Sequence, residues 1–216
     1  DDDHISTICL LAQNERGYRN LIELISCAWQ EGQHLGTAYV RRDWIAKYAE
    51  GVIVLSGGRE GDVGQALING KPELAVQRLQ WWQQWFGDRF YLEVQRTGRE
   101  NEEDYLHAVV ELAAQFVCPV VATNDVRFLK GEQFEAHEAR VCIHEGRTLD
   151  DPRRAHRYSD QQYLRSAEEM AELFSDLPEA IDNTNLIVDK IKPLKLERDI
   201  LLPHFKVPPE FHDDQD

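Results

Sequence analysis

The sequence is short of positive charge, of paired cysteine and of long apolar runs, and each shortage removes a class of function. With 24 Lys and Arg against 39 Asp and Glu, the formal net charge is −15. Affinity for nucleic acid comes largely from cations that neutralise phosphates, so strong nucleic-acid binding by this chain alone is not expected, and the acidity reads first as a solubility device. Part of it sits at the ends, in Asp1, Asp2 and Asp3 and again in Asp213, Asp214 and Asp216. The four cysteines, Cys9, Cys27, Cys118 and Cys142, have no close neighbour in sequence, which argues against zinc knuckles and CxxC redox chemistry. No apolar run approaches the roughly 18 residues of a membrane span, and no signal peptide opens the chain. A reduced, soluble, cytoplasmic protein is expected. The chain opens on Asp1 rather than methionine, which suggests missing sequence upstream.

What remains is ordinary globular material, 42% hydrophobic and 29% charged, with five Trp, eight Phe and seven Tyr to build a core. Ile5 to Leu11 is a short β-prone run. Asn14 can cap a helix whose apolar face is Tyr18, Leu21, Ile22, Ile25, Ala28 and Trp29, ending at Gly32. A short helix is expected over Asp43 to Tyr48, a buried strand over Val52 to Leu55, and helices over Asp62 to Ile68 and Pro72 to Phe86, the last stopped by Gly87. Arg89 to Val94 and Pro119 to Thr123 read as strands on either side of a helix from Asn101 to Phe116. Further helices follow: Glu132 to Cys142, one opened by a Ser166–Glu169 capping box, and one opened by Asp176 and Glu179 with Pro178 just inside. Beyond Lys192, Pro193, Pro203, Pro208 and Pro209 mark an extended connection. Strand–helix alternation points to parallel βα units, but three clear strands and one possible one are too few to close a barrel, which takes about eight.

Several segments, in order, resemble the PHP (polymerase and histidinol phosphatase) domain at the N-terminus of bacterial DNA polymerase III alpha subunits. They include LLAQNERGYRNLIELIS (Leu10 to Ser26), GVIVLSGGREGDVG (Gly51 to Gly64), YLEVQRTGRENEEDYLHAVVELA (Tyr91 to Ala113), PVVATNDVRFL (Pro119 to Leu129), FEAHEARVCIHEGRTLDD (Phe134 to Asp151), EEMAELFSDLPEAIDNT (Glu168 to Thr184) and LLPHFKVP (Leu201 to Pro208). The resemblance implies an α/β fold, the C-terminal part of a distorted (β/α)7 barrel with parallel strands, incomplete because its opening units precede Asp1. It further implies a partial PHP domain over residues 1–192 and, over 193–216, a connection towards a polymerase palm beyond Asp216, where the magnesium of DNA synthesis would bind.

PHP sites in metal-bearing relatives gather His, Asp, Glu and Cys ligands around metal ions, usually zinc, which activate water for phosphoester hydrolysis. Measured against that pattern, Thr7 stands where a ligand histidine is expected, with His4 three residues earlier; Gly58 stands where the LSGG-type segment usually carries cysteine; and Arg127 stands two residues after Asp125, where histidine is usual. A guanidinium where a divalent cation would sit opposes metal binding. Two residues from Asp125 along an extended segment, it can pair with that carboxylate. The expectation is a relic pocket of Asp125, Arg127 and Glu93, with no catalytic residue, metal or cofactor in this segment. Glu93 reads equally as a pocket acid or a solvated strand-end residue.

The other conspicuous residues have plain readings. His107, His137, His144 and His156 lack mutual metal spacing and read as surface or capping residues. Among Trp81, Trp82 and Trp85, a stacking platform is possible, but helical spacing sends Trp82 and Trp85 to the core and Trp81 elsewhere. Arg153, Arg154, His156 and Arg157 form one basic cluster, suited to a phosphate backbone, an acidic partner or plain solvent. The resemblance implies a non-catalytic module that docks the epsilon proofreading exonuclease among other holoenzyme subunits, with DNA bound through the parent protein. The alternatives are a metal-dependent PHP phosphoesterase or 3′–5′ exonuclease, or the PHP domain of an error-prone polymerase.

Overall fold

The computed structural model describes residues 5–197 and 200. Strand β1 (Cys9–Ala12) leads into α1 (Glu15–Glu31). A small hairpin, β2 (Gln33–His34) with β3 (Thr37–Ala38), and the short α2 (Arg42–Lys47) precede β4 (Val52–Leu55). Next come α3 (Asp62–Ile68), α4 (Pro72–Phe86), β5 (Phe90–Gln95), α5 (Glu102–Phe116) and β6 (Val120–Thr123), and then α6 (Phe134–Glu145), α7 (Ala167–Leu173) and α8 (Pro178–Lys190). His4 and the Leu201 to Pro208 stretch lie outside the described residues, as does most of the proline-rich connection.

Four strands form one sheet in the order β1-β4-β5-β6. β4, β5 and β6 are parallel, as βα alternation requires, but β1 runs antiparallel to β4, with Cys9 opposite Leu55 and Ala12 opposite Val52. The all-parallel expectation is therefore corrected to a mixed sheet. The long connection through α1, the hairpin and α2 can join strands of either direction, so nothing local fixes the orientation of β1. The described strands make an open sheet, not a closed barrel.

The sheet has two buried faces because residues alternate along each strand. Phe90, Leu92 and Val94 of β5, with Val52, Val54, Val120 and Ala122, pack under α3, α4 and α5 with Leu79, Trp82, Phe86 and Val109. Fully burying each such side chain contributes about 1.5–3 kcal/mol. The opposite face carries Ile53, Leu55, Tyr91 and Val121, closed in part by Ile187 of α8. At the C-terminal ends of β5 and β6 this second face turns polar, through Glu93, Gln95 and Thr123.

Three expectations about packing need correction. Helix α1 buries Gly17, Asn20, Leu24 and Ala28, whereas Ile22, Ile25 and Trp29 are exposed. Its rotation follows a close backbone approach: a Cβ on Gly17 would lie 1.7 Å from the Gly51 carbonyl oxygen, and the Asn20 amide donates to the Glu50 carbonyl at 2.8 Å. In α4, Trp82 is buried, stacked on Phe90 and hydrogen-bonded to Asp62, but Trp85 is 45% exposed. Phe86, four residues after Trp82, continues the inward stripe in its place. Asp176 does not cap α8. Arg96 binds it instead, at 2.5 and 2.8 Å, while the Ser166–Glu169 capping box forms as expected.

Candidate functional site

The polar ends of β5 and β6 meet the loops that follow β4, β5 and β6. The β4 loop opens with Gly57 and Gly58, both at positive φ (79° and 58°), a region open to glycine with little strain. This turn aims the Gly57 N–H at Glu93, whose Oε2 accepts it at 3.0 Å. Glu93 Oε1 accepts from the Gln95 amide at 3.2 Å and from the Thr123 hydroxyl. Glu93 is only 7% exposed, so it is not a solvated strand-end residue, and three donors already meet its carboxylate. A Cβ at Gly58 would meet Gln95 Oε1 at 3.2 Å, so this position faces the same network. Thr7 sits at the exposed lip, its N–H donating to the Glu60 carbonyl at 2.9 Å.

Asp125 pairs with Arg127, Oδ1 to Nη2 at 2.8 Å. The backbone there is not extended: Asp125 has φ +42°, and Gln162 holds it through a hydrogen bond to Oδ2 at 2.8 Å and another to its carbonyl. Arg127 remains 42% exposed. A second guanidinium, Arg99, lies deeper. Its side chain is 10% exposed and reaches Asp125 Oδ2 at 3.3 Å, Gln95 Oε1 at 2.9 Å and the Thr97 hydroxyl oxygen at 2.8 Å, with Glu102 at 3.6 Å. Buried Glu102 in turn accepts from the Thr97 and Gly98 N–H groups and the Thr97 hydroxyl. Sequence reasoning missed Arg99. The available hint was its place four residues after Gln95, behind Gly98, on the loop leaving β5.

These contacts make one connected network from Glu93 through Gln95 and Arg99 to Asp125 and Arg127. Among the described residues, no group of three or more His, Cys, Asp or Glu side chains is gathered as a metal shell requires. Cys9, at the neighbouring strand end, has its thiol pushed up by burial and by the charge of Glu93, away from the thiolate that binds metals. The arrangement engages each of these charged side chains in at least one hydrogen bond or ion pair with its neighbours.

The remaining candidates lie elsewhere. His107 and His156 are exposed. His137 departs from a surface role: its ring nitrogens are enclosed with no hydrogen-bond partner among the described residues, and the ring packs edge-on against Tyr158 at 4.7 Å and near Phe128 at 5.6 Å. Burial and the nearby Arg140 and Arg127 hold its pKa below the ordinary value. The basic cluster is already partnered: Arg153 binds Asp151, Arg154 binds Glu138 and Arg157 binds Glu145.

Comparison with known proteins can now be set beside this geometry. Residues 1–97 match the PHP domain. The PHP match takes in β1 to β5, the Gly57–Gly58 turn and the acid Glu93, and stops just short of Arg99. Similarity to proteins named DNA polymerase III subunit alpha extends over nearly all the rest. The chain is 54% identical over 211 residues to that of Pseudomonas aeruginosa, 49% over 203 residues to that of Escherichia coli K12, and 46% over 203 residues to that of Vibrio cholerae. These alignments cover 96%, 94% and 94% of this chain, but the chain spans only 18% of the length of each relative.

Proposed function

We propose that this chain is a segment of the alpha subunit of a bacterial DNA polymerase III, the replicative polymerase, with a PHP portion over residues 1–192 and a connection over 193–216 leading to the polymerase core. Template-directed DNA synthesis, with its magnesium, belongs to that core. The PHP portion is a catalytically silent scaffold that docks the epsilon proofreading exonuclease in the cytoplasmic holoenzyme. The identity over nearly the whole chain to named alpha subunits supports the parentage.

One observation carries the silence of the pocket: both oxygens of Asp125 are held by guanidinium groups, Arg127 on one and Arg99 on the other. A divalent cation at this carboxylate would have to displace or sit beside two fixed positive charges, and arginine does not lose its proton in proteins. Glu93, the other acid, already accepts three hydrogen bonds, from Gly57, Gln95 and Thr123. A metal-dependent phosphoesterase needs such carboxylates free.

Metal analysis of the purified full-length protein tests this. Less than a tenth of an equivalent of zinc or manganese per chain, unchanged by Asp125→Ala, is the expected result (roughly the level of adventitious binding). Near-stoichiometric metal that disappears in the Asp125→Ala variant overturns it. Docking is tested separately: co-purification with the exonuclease subunit should survive a chelator, and its loss on chelation refutes a metal-free scaffold.

A further inference from the structure

Outside the pocket, a groove of about 600 Å³ runs between the segment that follows Asp125 and one face of α6. Val126, Phe128 and Leu129 form one wall, and Ala136, His137 and Arg140, at helical spacing on α6, form the other. The walls are mostly apolar, with Val126 45% and Leu129 65% exposed. The first wall is anchored: the Arg127 N–H donates to the Gln162 carbonyl at 2.8 Å, and the Leu164 N–H donates to the Phe128 carbonyl at 3.0 Å. The groove is thus preformed, which lowers the ordering cost of binding.

Its charge is opposite to that of the chain. None of its lining residues carries a carboxylate, although Asp and Glu outnumber Lys and Arg by 39 to 24 overall. Arg127 contributes one guanidinium, shared with Asp125 and Tyr158. Arg140 contributes another and forms no ion pair or hydrogen bond with any described residue, unlike Arg153, Arg154 and Arg157 nearby in sequence. The ring nitrogens of His137, which have no hydrogen-bond partner among the described residues, lie in the same wall.

We propose that this groove docks a peptide segment of a partner protein in which an Asp or Glu lies within a helical turn of bulky apolar side chains. The carboxylate pairs with Arg140, and the apolar side chains cover Val126 and Leu129. Apolar walls favour such a segment over a phosphodiester backbone, which would bring charge but little apolar surface. The inference goes beyond the scaffold reading and does not need the pocket to be metal-free.

The test is a random dodecapeptide library displayed on phage and selected on the full-length protein that carries this chain. Enriched peptides should share an acidic residue close to Leu, Ile, Phe or Trp. Their affinity should fall about tenfold with Arg140→Glu, as expected when a charge-assisted contact is lost, should fall with Leu129→Ser, and should be unchanged with Arg153→Glu. Arg140→Gln, which removes the charge but keeps a polar side chain, should give an intermediate loss, and unchanged circular dichroism of the variants separates lost docking from lost folding. Three results overturn the proposal: no enrichment over selection on the Arg140→Glu protein, a consensus without acidic residues, or displacement of the peptides by a single-stranded dodecanucleotide, which would make the groove a nucleic-acid site. Failure here leaves the silent-pocket reading untouched, because metal content decides that one.

Discussion

Replacing Arg99 by methionine, which keeps the length of the side chain and removes its charge, should destabilise the chain far more than the same change at Arg127. Arg99 is 10% exposed and contacts Asp125, Gln95, Thr97 and Glu102. Removing one partner of a buried ion pair typically costs about 3–5 kcal/mol. The carboxylates left behind keep other donors: Glu102 keeps both backbone N–H groups and the Thr97 hydroxyl, and Asp125 keeps Arg127 and Gln162. That holds the expected loss near the lower end, about 3 kcal/mol. Arg127 is 42% exposed, and an ion pair this open contributes about 0–1 kcal/mol. Urea unfolding followed by tryptophan fluorescence should show a clearly lower midpoint for Arg99→Met and a small shift for Arg127→Met, with unchanged slopes. Equal costs at the two positions, or a loss below about 1 kcal/mol at Arg99, would refute the assignment of Arg99 as the inner clamp.

The rotation of α1 gives a second test: Leu24→Ala should cost about 2–4 kcal/mol, whereas Ile25→Ala, on the exposed side, should change stability by about 0.5 kcal/mol or less in the same assay. Acid stability gives a third. Hydrogen bonding from Arg96 holds the Asp176 carboxyl down at about 2, below its ordinary 3.8, so its contribution is complete above the ordinary value and is lost as pH falls through about 2. Asp176→Asn should therefore flatten the acid limb of the stability profile below about pH 4, and an unchanged limb would show that the Arg96 contact does not hold in solution.

Elements with strong local signals could be read directly from the sequence. Val52–Leu55, Asp62–Ile68 and Pro72–Phe86 begin and end where apolar runs, Pro72 and Gly87 say they should. Features set by distant partners could not. The rotation of α1 depends on Gly17 meeting Gly51, so its widest apolar stripe, Ile22, Ile25 and Trp29, is left outside. Asp176 and Glu179 have capping-box spacing, but Arg96, 80 positions away, takes the aspartate. The direction of β1 is a property of its pairing with β4, which four apolar residues cannot encode.

The candidate site divides in the same way. Asp125, Arg127, Gly58 and Thr7 were visible because family resemblance marks those positions, whereas Glu93 could be read from the sequence only as either a pocket acid or a solvated strand-end residue. Arg99 sits at no marked position, and its partners come from both ends of its own loop and from the turn after β6. Its inclusion changes the electrostatic argument. Glu93, Glu102 and Asp125 bring three negative charges, and Arg99 and Arg127 bring two positive ones, so the network carries a net charge of −1 (−3 + 2). With Arg127 alone as counter-charge the net would be −2, a deficit that a divalent cation would neutralise. On the proposed reading, the buried arginine, less screened than the exposed one that the sequence made conspicuous, lowers the electrostatic demand for a metal at these strand ends.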